Sequence, residues 1–138
     1  MNTSLHALVV DRRRPSSSGP RTIRADLTTL QGLVGGYLQA VYGYRAPDQT
    51  LQAWPRVTFY LNEEGKIHGL PLNPLATALW WHFDPQAIGG DILVGPVVIF
   101  GGGGDDNDDN TAVPGDVLEV YTALRDGSYP LSYRLTRA

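Results

Sequence analysis

Residues 59–79, FYLNEEGKIHGLPLNPLATAL, decide how this chain folds. The run ending at Leu61 is strand-like, with Val57, Phe59 and Leu61 alternating with Arg56, Thr58 and Tyr60. Asn62-Glu63-Glu64-Gly65 is turn chemistry, and Lys66-Ile67-His68 reads as the return arm of a hairpin. Gly69-Leu70-Pro71 breaks that arm. Asn73 then predicts a helix N-cap, with Pro74 at the first helical position, where a missing N–H costs nothing. Leu75, Ala78 and Leu79 are the expected buried face of that helix, with Trp80 close behind.

Upstream, Leu5 to Val10 predicts a strand and Arg21 to Ala25 its partner across a long loop, 11–20. Asp26 caps a helix carrying Leu27, Leu30, Leu33 and Val34, and Gly35-Gly36 stops it. A glycine pair placed after a helix is a cap, not a phosphate cradle, which precedes its helix. Tyr37 to Tyr44 predicts another strand. Downstream, Ile92 to Phe100 is the most apolar segment and predicts a buried strand bent or broken at Gly95-Pro96. Gly101 to Asn110 reads as a flexible glycine-rich loop. A last helix spans Asp116 to Leu124, with Gly127 stopping it, before a tail from 128 to 138. The order lacks the regular strand–helix alternation of a doubly wound sheet. The expectation is one α+β domain: a mostly antiparallel sheet of about five to six short strands with two to three helices packed on it, covering one face.

The chain has 138 residues, no cysteine and a formal net charge of −3. Length predicts one domain. The absence of cysteine excludes disulfides, thiolate metal sites and a Cys nucleophile. No apolar run approaches the ~20 residues of a membrane span. The Leu5–Val10 run is too short for a secretory signal and its arginines follow it, so a cytoplasmic protein without a membrane partner is expected. The acidic balance speaks against nucleic acid as the partner. Against that balance stand Arg12, Arg13, Arg14, Arg21 and Arg24, which are either a solvated loop or a phosphate-facing arm without base specificity.

No catalytic constellation is readable. His6, His68 and His82 share no metal-ligand spacing, and no nucleophile elbow occurs. A small hydrolase would need His68 or His82 beside a carboxylate. Glu63 and Glu64 sit together on a turn and read as solvated. The loop Asp105 to Asn110 partly resembles a calcium loop, but Asn110 stands where the sharp turn wants glycine, and Asp116 where the bidentate glutamate belongs. No metal and no cofactor is expected. For a small anion the best position is the Asn73 helix start, where free N–H groups and the helix dipole converge. Asn62, His68, Asn73, Thr77 and Tyr60 are the candidate ligand-binding residues.

Several local patterns together resemble a known family. They are Leu8-Val9-Val10-Asp11; Asp26-Leu27 with Leu30-Gln31 and Val34-Gly35-Gly36; Leu61 to Lys66; Gly69-Leu70-Pro71 with Asn73 and Ala76-Thr77; and Gly90 to Gly95. In this order they resemble the domain of unknown function 3846 type, small proteins of actinobacteria, their phages and plasmids. The resemblance covers roughly residues 5–110 and implies an intracellular accessory protein, often of a mobile element. It implies no catalytic residues. The expectation is therefore a non-catalytic binding module for a small anionic ligand, such as a nucleotide, or for a host protein. A hydrolase and a nucleic-acid accessory protein using Arg12 to Arg24 are the alternatives.

Overall fold

A computed structural model describes residues 4–103 and 110–129. In chain order the elements are β1 (Ser4–Val10), β2 (Gly19–Arg24), α1 (Leu27–Val34), β3 (Leu38–Gly43), β4 (Val57–Asn62), α2 (Pro74–Phe83), β5 (Val97–Gly102), β6 (Asn110–Thr111) and α3 (Gly115–Asp126), with short 3-10 turns at Pro15–Ser17 and Pro85–Ala87. They form one six-stranded antiparallel sheet in the order β2-β1-β5-β4-β3, with β6 paired to β5. The architecture is α+β, as the sequence predicts.

The central strand dictates the layering. In β5, Val97, Val98, Ile99 and Phe100 are all fully buried. Side chains alternate across a strand, so a strand apolar at every position requires cover on both faces. Val97 and Ile99 join Leu8, Val10, Phe59 and Leu61 beneath α2 and α3. Val98 joins Ala7, Val9 and Phe100 beneath Leu30 and Val34 of α1. Helices thus cover both faces rather than the single face expected. The Gly95-Pro96 break starts β5 at Val97, leaving Val94 in one isolated bridge to Leu72.

The expected hairpin after β4 does not form. Lys66-Ile67-His68 lies in a continuous turn, with Gly65 N–H donating to the Asn62 carbonyl, His68 to Glu64 and Leu70 to Gly65. Both edges of β4 are already occupied, by β3 and β5, so no ladder position remains for a return strand. Two glycines allow the close packing here. A Cβ on Gly65 would lie 2.9 Å from Val94 Cγ2, and one on Gly36 2.8 Å from Asn62 Nδ2.

Asp26 caps α1 by accepting from Thr29 N–H at 2.7 Å, and Gly35 ends it at φ 85° with its N–H on the Gln31 carbonyl. The buried stripe of α2 is Ala76, Leu79, Trp80 and Phe83, one turn-related face packed on the sheet. Leu75 and Ala78, expected inside, are only half-buried. The C-terminal half of α2 also closes the β3 edge. Trp80 Nε1–H donates to the Tyr42 carbonyl at 3.1 Å, and the Phe83 carbonyl accepts from Tyr44 and Arg45 N–H. Unpaired edge groups invite association with other strands, and α2 removes several of them.

Gly101 and Gly102 belong to β5 and Asn110–Thr111 to its partner, so the expected loop is shorter at both ends. A Cβ at Gly101 would meet the Ala112 carbonyl at 2.4 Å. The aspartates at 105–109 and the expected strand through Leu131, Tyr133 and Leu135 lie outside the described residues. Arg56 and Asp116 form a largely buried two-point ion pair at 3.1 Å that ties β4 to the first turn of α3. Among the described residues no helix is long and apolar enough to cross a membrane.

Candidate functional site

The residues singled out in the sequence are distributed through the fold, and most of their polar atoms serve it. The side chain of Asn73 is 1% exposed. Its Oδ1 accepts from Ala76 N–H at 3.1 Å, while Nδ2 donates to the carbonyls of Val10 at 3.0 Å and Gly95 at 2.9 Å. Its two amide donors are both engaged. Thr77 Oγ1 accepts from Leu93 N–H and donates to the Leu93 carbonyl. Asn62 accepts from Glu64 N–H and donates to the Val34 carbonyl, the end of α1. Tyr60 OH accepts from Asn110 Nδ2 at 2.7 Å, and burial pushes its phenol pKa up. Asn110 Oδ1 is buried without a partner. His68 is exposed on the 62–70 turn with Glu64 at 3.5 Å. Asn73 and Thr77 sit together at the start of α2, but neither presents a free polar atom to a ligand.

A different set of side chains encloses space. The turn joining β1 to β2, the end of α1 and the start of β5 surround a cavity of about 250 Å³. Arg13, Arg14 and Arg21 line it, with Asp11 and Ser17. Leu33, half-buried, gives it an apolar edge; Val9, Val34 and Pro96 border it but are buried, and Gly32 and Gly35 complete it. The turn is held in place locally. Ser18 Oγ accepts from Asp11 N–H and donates to the Asp11 carbonyl, and Asp11 Oδ1 accepts from Arg13 N–H. Two of the five N-terminal arginines are engaged elsewhere: Arg12 donates to the Leu72 carbonyl, and Arg24 pairs with Asp26. Arg13, Arg14 and Arg21 make no side-chain hydrogen bond or ion pair in the described structure. Three guanidiniums against one carboxylate leave a formal excess of two positive charges around the cavity. Planar guanidinium groups suit the two-point recognition of phosphate or carboxylate oxygens.

The family model described as Domain of unknown function (DUF3846) matches residues 5–125. The chain belongs to this family. No curated protein and no solved structure matches it. The residues on which the family resemblance rests are chiefly those that hold the fold: Asp26 and Gly35 bound α1, Asn62 fixes its last carbonyl, and Asn73 and Thr77 secure the start of α2. Membership in the family therefore carries its architecture and names no activity.

Of the histidines, His6 is exposed on β1 and His68 on a turn, whereas His82 is 3% exposed. His82 Nδ1 lies 2.9 Å from Tyr129 OH. Burial, aided by the Arg45 guanidinium, lowers its pKa to about 4. The folded pKa thus lies below the ordinary value of 6.5, so the unfolded chain binds the proton more readily. Stability from this group is complete above about pH 6.5 and is lost as the pH falls towards 4. Urea denaturation at pH 7 and pH 5 should show His82 contributing a loss of about 2 kcal/mol. The same comparison in His82→Gln removes that share and leaves the carboxylate contributions common to both proteins. Equal pH dependence in the two proteins would show that His82 is not held neutral.

Among the described residues no group of three or more His, Cys, Asp or Glu side chains could hold a metal ion. The arginine cavity was only half visible in the sequence. Its charges lie in the basic segment, but nothing in spacing brings Gly32, Leu33 or Pro96 to them.

Proposed function

We propose that this protein is a non-catalytic binding module for a small anionic ligand, held in the cavity lined by Arg13, Arg14 and Arg21. The observation that carries this reading is the set of three guanidiniums without internal partners around one cavity. A surface arginine normally gains little by being fixed, whereas several converging on one space bind an anion cooperatively. The site moves the anion from the Asn73 helix start, whose side chain is engaged, to the opposite face of the sheet, beside the end of α1. The engagement of Arg12 and Arg24 with the protein itself favours a compact ligand over a long polyanion, which would want all five arginines in one stripe.

The reading predicts saturable stabilisation by anions. In thermal unfolding, millimolar phosphate or pyrophosphate should raise the midpoint at constant ionic strength, and chloride should not. Arg21→Ala and Arg14→Ala, each on an exposed side chain, should leave the unliganded midpoint nearly unchanged and weaken binding about tenfold or more. Stabilisation that survives both substitutions would place the anion elsewhere, and no stabilisation by any anion would end the reading.

A further inference from the structure

Gly32 has no internal reason to be glycine. It lies within α1, where glycine weakens a helix relative to alanine. Its φ is not among the positive values that favour glycine in this chain. A Cβ built there would meet nothing within 4 Å, so no neighbouring group demands the missing side chain. What the position does have is a place in the wall of the arginine cavity, beside Leu33 and Val34. The backbone at residue 32 is exposed, and a Cβ there would stand in open space at the cavity's edge.

Taking the anion reading above as its basis, we infer that the ligand is a compact phosphate monoester: its phosphate sits among Arg13, Arg14 and Arg21, and its organic group lies over the bare, exposed backbone at Gly32 and against Leu33. Two features select this class. The excess of positive charge suits a dianion, which a monoester carries at neutral pH and a diester does not. The partly exposed Leu33 side chain beside Gly32 is of no use to inorganic phosphate but shields a planar or aliphatic group from water. The cavity, at about 250 Å³, lies just below the usual size of small-molecule sites, which limits the organic part to about the size of one ring or one nucleoside.

The test is isothermal titration of the full chain with three probes: inorganic phosphate, phenyl phosphate and a ten-residue oligothymidylate. Each is run on the native protein, Gly32→Ala and Gly32→Leu. Phenyl phosphate should bind the native protein about tenfold more tightly than inorganic phosphate. Gly32→Leu should abolish that advantage while changing inorganic phosphate affinity by less than about threefold. Gly32→Ala separates folding from blocking, since it should melt about 3 °C higher with phenyl phosphate binding intermediate between the other two proteins. Equal affinity for the two small probes, or an advantage that persists in Gly32→Leu, overturns the monoester inference and leaves the anion reading standing. Tighter binding of the oligothymidylate, indifferent to Gly32→Leu, overturns it in favour of a nucleic-acid backbone. Binding of none of the three overturns both readings.

Discussion

Replacing Asn73 by alanine should destabilise the protein by about 3 kcal/mol or more, read as a fall in the urea midpoint at constant slope. A helix N-cap alone is worth about 1 kcal/mol. Asn73 does more than cap. Its Nδ2 donates to the carbonyls of Val10, at the end of β1, and Gly95, just before β5. Both hydrogen bonds are buried, so truncation leaves two carbonyls without that donor, at about 1–3 kcal/mol for a group left wholly unsatisfied. One amide thus joins the start of α2 to the ends of two neighbouring strands. Two further substitutions separate the roles. Asn73→Ser keeps a cap acceptor and should recover about 1 kcal/mol of the loss. Asn73→Asp also keeps the acceptor but aims a carboxylate at two carbonyls, and should recover nothing. A cost below about 1 kcal/mol for Asn73→Ala would mean that the cap alone matters and the strand ends are held by other contacts.

Phe83→Ala should cost about 3–5 kcal/mol, the usual range for deleting a buried aromatic ring. The ring is 1% exposed and sits where α2 crosses the β3 edge. Its own carbonyl accepts from Tyr44 and Arg45 N–H, and these backbone bonds survive the substitution. The loss therefore reports the packing of the ring and not the closure of the edge. The seam is tight from the other side as well. A Cβ at Gly43 would lie 2.5 Å from Phe83 Cβ and 3.5 Å from Val57 Cβ, neither of which can move without its element. A loss under about 2 kcal/mol for Phe83→Ala would show that the seam collapses into the space left by the ring.

The sequence discloses elements better than their partners. Asp26, Gly35, Asn73, Pro74 and Gly127 announce helix ends through chemistry confined to a few residues, and each does so in the structure. Pairing is a different matter. Lys66-Ile67-His68 looks like a return strand until β3 and β5 are seen to occupy both edges of β4. The two-sided cover of β5 was present in the unbroken apolar run from Val97 to Phe100, but alternation says nothing about which helix lies on which face. In α2, Leu79 and Trp80 are buried as expected, but helical spacing admits neighbouring stripes, and the choice of Ala76 and Phe83 over Leu75 and Ala78 beside them is made by what lies opposite.

The candidate site follows the same division. Asn62, Asn73 and Thr77 attract notice as polar residues near a helix start, yet a polar side chain that satisfies buried backbone looks the same in sequence as one awaiting a ligand. The difference lies in burial and partners. Arg13, Arg14 and Arg21 were readable as charge, but their convergence depends on the β1–β2 turn meeting the end of α1 and Pro96, an arrangement that only the tertiary fold creates.

The most direct test is a phosphate titration followed by backbone amide NMR on the full chain at low ionic strength. Saturable shifts are expected at Arg13, Arg14, Arg21, Gly32 and Gly35, with the amides of Asn73, Ala76 and Thr77 still. Shifts centred on the start of α2, or none that saturate, would contradict a site among the three arginines.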